Sequence, residues 1–423
     1  MNCNIAKSIL NGTIDCPASK AYTHRAIFLA ALAKGRSTII NALKSNDIVA
    51  TIDACTNFGS TINHNKNEMT IQNNGLLLRS TFIDAKNSGT TIRIAASISS
   101  LFDKQITLTG DNSLNQRPMS PLLKTLTSLG AKCSSYNGKP PLTITGKISG
   151  GEAMIQGNIS SQFLSSLLMI SPYLKEGLII MIKDHLVSKQ YVDATLAIMA
   201  QFGVVVNVIS KYKKYSVNFQ QYKATTVHIP SDYSSLSLLL SAAILVGNKL
   251  KIKTSQNDLP QVDHMIIDIL NTMGVDIILD QNIISVNSPH NLLGGKFDLE
   301  HNPDLLPPVA ILALKSNHPI EIFNVRHARY KETDRIAIIS REFKKLGLLV
   351  KEKDDGMIIQ NTSGVLKSAN LNPENDHRLF MAFCIAGMYI GKCTVSDSES
   401  INISYPNFIR DINKLGGKIS KSM

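Results

Sequence analysis

Tyr330-Lys331-Glu332-Thr333-Asp334-Arg335-Ile336-Ala337-Ile338-Ile339-Ser340-Arg341-Glu342-Phe343-Lys344-Lys345-Leu346-Gly347 reads as a charged approach followed by one amphipathic helix. Ile336, Ile339, Phe343 and Leu346 step by three, four and three, which is one helix face, and Gly347 ends it. Lys331, Arg335, Ile339 and Phe343 step by four, so the spacing extends the apolar stripe through both cations toward the helix start. The ordinary alternative is a surface Glu332–Arg335 ion pair beside a solvated Lys331. Cations on the buried side of a positive helix end instead call for an anion.

The Leu346-Gly347 ending recurs. Phe58-Gly59, Leu129-Gly130, Phe202-Gly203, Met273-Gly274 and Leu415-Gly416 each close a helical stretch ahead of a strand-like run, with the glycines 71, 73, 71, 73 and 69 residues apart. One such pair means little, because Gly is common just past a helix end. Six at nearly constant spacing indicate six copies of one unit. Two polar series run in phase with them. Lys20, Asn87, Ser160, Asp232, Asp304 and His377 open an apolar helix in each copy; Lys44, Arg117, Ser188, Gln261, Lys331 and Ile403 precede the Gly-terminated helix. Helix capping explains Ser, Asn and Asp in these slots but not Lys, Arg and His. Residues 26–32, 238–244 and 309–314 are apolar nearly all round and so belong to buried helices. Residues 277–279 and 283–286 flank a turn as hairpin strands do. The expected fold is α/β, with helices inside and sheets outside. No Rossmann or P-loop glycine pattern is present.

At 423 residues the chain is too long for one ordinary core, so two or three domains are expected. The net charge of +12 suits polyanions or small anionic substrates. Lys211-Tyr212-Lys213-Lys214-Tyr215 is the nearest thing to a nucleic-acid patch, and it reads as a solvated hairpin turn. The six cysteines are scattered without a CxxC pair, so neither a zinc site nor a disulfide framework follows, and reduced thiols in a cytoplasmic protein are expected. The first residues lack the pattern of a signal peptide, and the apolar runs are too short to span a bilayer.

The chemistry-bearing candidates come in order. Pro17-Ala18-Ser19-Lys20 and Arg25 put two cations in the first turns of a helix, where they oppose its dipole. Asn87-Ser88-Gly89-Thr90 opens another helix with small residues that let a ligand reach backbone N–H groups. Arg117-Pro118 follows, then Ser160-Ser161-Gln162-Phe163, an N-terminus suited to phosphate, with Ser188 and Tyr191 in the second slot. A Ser-Ser cap alone is usually structural. Arg117, Arg335 and Arg378 could hold a small polyanion, and Lys20, Arg25 and Lys331 a second anion. Asp304 and Glu332 are then carboxylates in a cationic field, available for proton transfer.

These motifs, with Lys331-Glu332-Thr333-Asp334-Arg335 and Asp376-His377-Arg378, resemble in order and over essentially the whole chain those of the 5-enolpyruvylshikimate-3-phosphate synthase family. The resemblance implies a two-domain inverse α/β, barrel-like fold of six βαβαββ repeats, three per domain. It implies that residues 1–16 join 229–423 in one domain while 17–228 form the other, with the active site in the cleft between them. The implied reaction transfers the enolpyruvyl group of phosphoenolpyruvate to the 5-hydroxyl of shikimate 3-phosphate, through a tetrahedral adduct, with no metal and no organic cofactor. By matching position, Lys20, Arg25, Ser160, Ser161, Gln162, Ser188, Tyr191, Asp304 and Lys331 would bind shikimate 3-phosphate. Lys20, Asn87, Gly89, Arg117, Gln162, Arg335 and Arg378 would bind phosphoenolpyruvate. Asp304, Glu332 and Lys20 would be catalytic. A cytoplasmic monomer without nucleic-acid or membrane partners is expected.

Three positions depart from the family's usual pattern: Ala21 for Ser, His327 for Asn, and Ile403 for the Lys of a Lys-Ser/Thr-Phe/Tyr-Pro motif that here reads Ile403-Ser404-Tyr405-Pro406. The last removes a cation, so weaker phosphoenolpyruvate binding, or compensation by a residue such as Lys20, is expected. A non-catalytic anion-binding relative is the alternative that Ile403 raises. The sister transferase acting on UDP-N-acetylglucosamine uses a loop cysteine near the Arg117 region, and residues 111–118 contain none.

Overall fold

The structure, a computed structural model, describes residues 1–65, 68–255, 257–362 and 365–422. Its described strands form six four-stranded sheets of one pattern. In the sheet of Thr226–His228, Gly35–Ile40, Glu68–Asn73 and Thr61–His64, the first pair is parallel and the next two are antiparallel. The other five repeat this order. A parallel neighbour requires a crossover. In four of the sheets an intervening helix supplies it, as Gly89–Ser99 does between Phe82–Asp84 and Ile106–Thr109, and in the other two the paired strands are far apart in the chain.

The chain divides into two compact units. Unit 1 comprises Met1–Pro17, Ser231–Gln256 and Gln261–Met423; unit 2 comprises Ala18–Pro230 and Asn257–Pro260. Each holds three of the sheets. The strand Leu10–Asp15 precedes the helix Lys20–Leu32 in sequence, yet it pairs in parallel with Gly247–Lys253 in unit 1. Reciprocally, Thr226–His228 pairs with Gly35–Ile40 in unit 2. In the sixth sheet the second hairpin strand comes from the start of the chain: Cys3–Ile5 lies between Cys393–Val395 and Ile419–Lys421.

The first helix of each repeat is the buried one. Tyr233–Val246 is buried along its whole length, and it packs with Leu306–Ile311 and His377–Ile390 at the centre of unit 1. In unit 2, Lys20–Leu32 and Gly89–Ser99 pack together, and Gly89–Ser99 also packs on Ser161–Ile170. Strand residues alternate between buried and exposed, as in the pattern of Glu68–Asn73, so the sheets clothe this helical centre within each unit. The fold is thus the inverse α/β arrangement, helices inside and sheets outside. All six repeat glycines have positive φ: Gly59 +109°, Gly130 +102°, Gly203 +77°, Gly274 +84°, Gly347 +89° and Gly416 +103°. At Gly59 a Cβ would also lie 2.9 Å from the Leu77 backbone, so both conformation and space demand glycine there.

Three sequence readings need correction. The helix after the opening stretch starts at Arg335, where the Asp334 carboxylate accepts the Ala337 N–H and caps it. Lys331 therefore lies ahead of the helix, just after the 3-10 turn Arg326–Tyr330, and not on its stripe. The apolar run 309–314 is not one helix. The α-helix Leu306–Ile311 gives way to a 3-10 turn, Leu312–Lys315. The lysine-rich turn does join two antiparallel strands, Asn207–Ser210 and Lys214–Val217, but Tyr215 is buried rather than solvated. All six cysteines are free. Among the described residues no helix is long and apolar enough to cross a membrane.

Candidate functional site

In unit 1 the opening motif meets two others. Arg335 is fully buried, and all three of its guanidinium nitrogens are engaged. Nε donates to Asp376 Oδ2 at 2.7 Å, Nη1 to Asp304 Oδ1 at 2.8 Å, and Nη2 to Glu332 Oε2 at 2.8 Å. The Glu332–Arg335 pair is thus internal, not the surface pair of the ordinary reading. Asp304 also meets Lys331 Nζ at 3.5 Å and Arg378 Nη2 at 3.1 Å. Burial alone would raise the Asp304 carboxyl, but Arg378, Lys331 and Arg335 hold it well below the usual carboxylate range. Burial also works against the charge on Arg335. Asp376, Glu332 and Asp304 overcome it and hold the guanidinium more firmly protonated than usual. Burial pulls Lys331 below the ordinary lysine value; the attraction of Asp304 and Glu332 outweighs the repulsion of Arg335 and Arg378 but does not make up for burial. Three cations and three carboxylates therefore balance here.

Local sequence places each group. Pro303 opens the 3-10 turn Pro303–Leu305 that carries Asp304. Asp376 caps the helix His377–Ile390 by accepting the Arg378 and Leu379 N–H groups. That cap puts Arg378 in the first turn, beside Asp304.

In unit 2 the residues gather at helix starts. Ser19 caps Lys20–Leu32, and Lys20 Nζ lies 2.9 Å from Asp47 Oδ2. Asp47 answers part of the puzzle of a lysine in a first turn. Arg25 is buried; Nε donates to Thr195, Nη1 to Ala21 O and Nη2 to Tyr191 O, and the Tyr191 ring lies beneath its guanidinium. No carboxylate pairs with Arg25 among the described residues, and burial pulls it down to about 10, so it is a cation at neutral pH.

Asn87 stands one residue ahead of the cap Ser88, joining Arg117 Nη2 at 3.0 Å to Asp111 at 2.7 Å. A Cβ on Gly89 would lie 3.1 Å from Arg117 Nη1 and 3.2 Å from Arg93 Nη1, so both guanidiniums sit over this helix start. Ser160 caps Ser161–Ile170, and Gln162 receives Arg93 Nη1 at 2.5 Å while donating to Thr90. Ser188, the cap of Lys189–Gln201, has φ +54°, a conformation uncommon outside glycine. Two of the positions that depart from the family pattern are buried: His327 in its 3-10 turn, and Ile403 at the end of Ser398–Ile403. Ala21 is half-buried in the first turn of its helix.

Sequence reasoning gave no role to Asp376, Asp47 or Arg93. Asp376 and Asp47 stand at helix starts, where acidic residues ordinarily cap, so their spacing alone did not set them apart. Arg93 was legible as a lone cation within the apolar run Ile92–Ile98 of its helix.

Two solved proteins share this architecture. The structure of EPSP synthase from Acinetobacter baumannii superposes with a TM-score of 0.83 at 24% identity, covering 100% of both chains. That of the enolpyruvyl transferase NikO from Streptomyces tendae superposes at 0.78 and 14% identity, covering 100% of this chain and 98% of the other. The fold is therefore that of the enolpyruvyl transferases. A model of the EPSP synthase (3-phosphoshikimate 1-carboxyvinyltransferase) family matches residues 6–412. A 3-phosphoshikimate 1-carboxyvinyltransferase of Nitrosopumilus maritimus is 52% identical over 427 residues, covering 99% of each chain. One of Methanosphaera stadtmanae is 38% identical over 411 residues, covering 95% of this chain and 96% of the relative. The chain belongs to the EPSP synthase family.

Proposed function

We propose that this protein transfers the enolpyruvyl group of phosphoenolpyruvate to the 5-hydroxyl of shikimate 3-phosphate and releases inorganic phosphate. The observation that carries the reading is the convergence of Asp304, Lys331, Glu332, Arg335 and Arg378, from three separate motifs, into one ion-pair network in a chain that the family model matches over residues 6–412. Arg25 adds support, since a buried cation without a carboxylate is completed by an anion.

In this reading Arg25, Ser160, Ser161, Ser188, Tyr191 and Lys331 bind shikimate 3-phosphate. Asn87, Arg117, Arg335, Arg378 and the backbone at Gly89 bind phosphoenolpyruvate, and Lys20 and Gln162 touch both. Asp304 takes the 5-hydroxyl proton as that oxygen bonds to C2 of phosphoenolpyruvate; Glu332, which takes up a proton as the arriving phosphoenolpyruvate draws Arg335 away from it, delivers that proton to C3. The tetrahedral adduct then returns a methyl proton to Glu332. The C2–C3 double bond re-forms, the C2–O bond to phosphate breaks, and the proton held on Asp304 passes to the leaving phosphate. The cations hold the charge of the departing phosphate, and fixed alignment of two anions that repel each other in water lowers the barrier further.

Phosphate release from phosphoenolpyruvate, measured with and without shikimate 3-phosphate, tests the reading. Release is expected only with both. Release that ignores shikimate 3-phosphate, or none, overturns it, and substrate binding without release would favour a non-catalytic anion-binding protein instead. Ile403→Lys is expected to lower the phosphoenolpyruvate KM roughly tenfold, the worth of one hydrogen bond to a charged group. Lysine can reach out of that buried position along its stem. Steady-state kinetics check this; an unchanged KM would show that the existing cations already suffice.

A further inference from the structure

Asp263 belongs to none of the motifs above, yet it is fully buried beside them. Its Oδ1 accepts Asn302 Nδ2 at 3.0 Å, and its Oδ2 accepts the Ser234 hydroxyl from the first turn of Tyr233–Val246. Asn302 stands two residues ahead of Asp304. Its backbone is tied on both sides, its N–H to Leu299 O at 3.1 Å and its carbonyl to the Leu305 N–H at 3.0 Å. Asp263 itself has φ +64°, a left-handed conformation that Asp and Asn tolerate best among residues with side chains. A buried carboxylate is thus built against the turn that carries Asp304.

We propose that Asp263 is a positioning residue for Asp304: through Asn302 it fixes the Pro303–Leu305 turn, and its charge opposes the cations that clamp Asp304. This rests on the reading of Asp304 as the base. The groups facing Asp263 are few. Asp304 faces it from the turn and Arg378 from His377–Ile390; Ser234 and Asn302 donate to it. Its neighbour His264 stacks on Tyr233, and Asp232 caps the helix that carries Ser234. Burial first, then Asp304, push the Asp263 carboxyl up to about 6, against the pull of Ser234, Asn302 and Arg378. Repulsion between two carboxylates is mutual. Ionised Asp263 therefore raises the proton affinity of Asp304, which Arg378, Lys331 and Arg335 otherwise depress. A base with a higher proton affinity accepts the hydroxyl proton more readily. Below pH 6 that help fades as Asp263 takes up its own proton.

The test is Asp263→Asn, which keeps the shape and suits the backbone, assayed for kcat, both KM values and their pH dependence. The ratio of wild-type to variant kcat cancels the titration of the substrate phosphates. It is expected to be about ten above pH 7, for a change of about one pKa unit in the base, and to fall toward one as pH drops through 6, with both KM values little changed. A ratio of one throughout overturns the proposal. So does a ratio that is constant with pH, or a loss confined to KM, since lost packing would act that way. Should Asp263→Asn not fold, Asn302→Ala removes a donor that lowers the Asp263 value, and the wild-type step near pH 6 should move upward; an unmoved step overturns the proposal. Wild-type protein that releases no phosphate with both substrates sinks the functional reading itself, and this inference with it. Active wild type with a flat ratio sinks this inference alone.

Discussion

Arg335→Gln is expected to destabilise unit 1 by roughly 3–5 kcal/mol, the usual cost of removing one partner from a buried charge network. Arg335 has no exposed surface and serves three carboxylates. Asp304 would keep Lys331 and Arg378, so it is not the group most affected. Asp376 is, because its charge pair is with Arg335 alone among the described residues, while two backbone N–H groups and the Thr333 hydroxyl at 3.4 Å also donate to it. Arg335→Lys should recover only part of the loss, because an ammonium cannot span three acceptors as a planar fork does. Denaturant unfolding of the wild type and both variants measures this; the two units unfold separately or together, so midpoints are compared transition by transition. A loss under about 1 kcal/mol would mean that the network is worth no more than an exposed pair.

The acid dependence of stability has a definite sign. The Asp304 value is depressed in the folded state, so its contribution is present above the unfolded carboxylate value, about 3.9, and is lost as pH falls through the folded one. Asp263 is raised to about 6, so its contribution is full only below about 3.9 and fades as pH rises through 6.

The repeat was legible because it rests on local chemistry. A helix that must stop and reverse needs a residue at positive φ, and glycine marks that place six times without reference to anything distant. The slots were legible for a similar reason, since Lys20, Arg117 and Lys331 contradict what a helix start prefers. The pairing of charges was not. Arg335 reaches Asp376 across 41 residues and Asp304 across 31, and no local pattern encodes which carboxylate meets which cation. Four-residue spacing sets Lys331 on the helix stripe, because spacing alone cannot distinguish a helical residue from one ahead of its cap. Asp263 was hidden most completely. Nothing in Gln261-Val262-Asp263-His264 marks a buried acid, and its importance arises only from Asn302 and Asp304 folding onto it.

Asp304→Asn is expected to lower kcat by about 10²–10⁴, the usual contribution of general acid–base catalysis, while substrate affinity holds or improves. The two parts separate the roles of one carboxylate. As a base, Asp304 must accept the 5-hydroxyl proton, and an amide at the same place cannot. As an anion, it occupies the cations: Lys331, Arg335 and Arg378 all point at it, and together with Glu332 and Asp376 it cancels their charge. A substrate phosphate or carboxylate arriving at this network competes with Asp304 for the same donors. Removing its charge leaves three cations facing two carboxylates, which favours an incoming anion. A group that only positioned substrate would show the reverse pattern, a raised KM with kcat largely kept. Binding of shikimate 3-phosphate and phosphoenolpyruvate by calorimetry, beside single-turnover phosphate release, distinguishes the two. If affinity collapses with turnover, Asp304 holds the site's shape rather than its proton. If turnover survives, the base lies elsewhere, and Glu332, bonded to Arg335 at 2.8 Å, is the next carboxylate to replace.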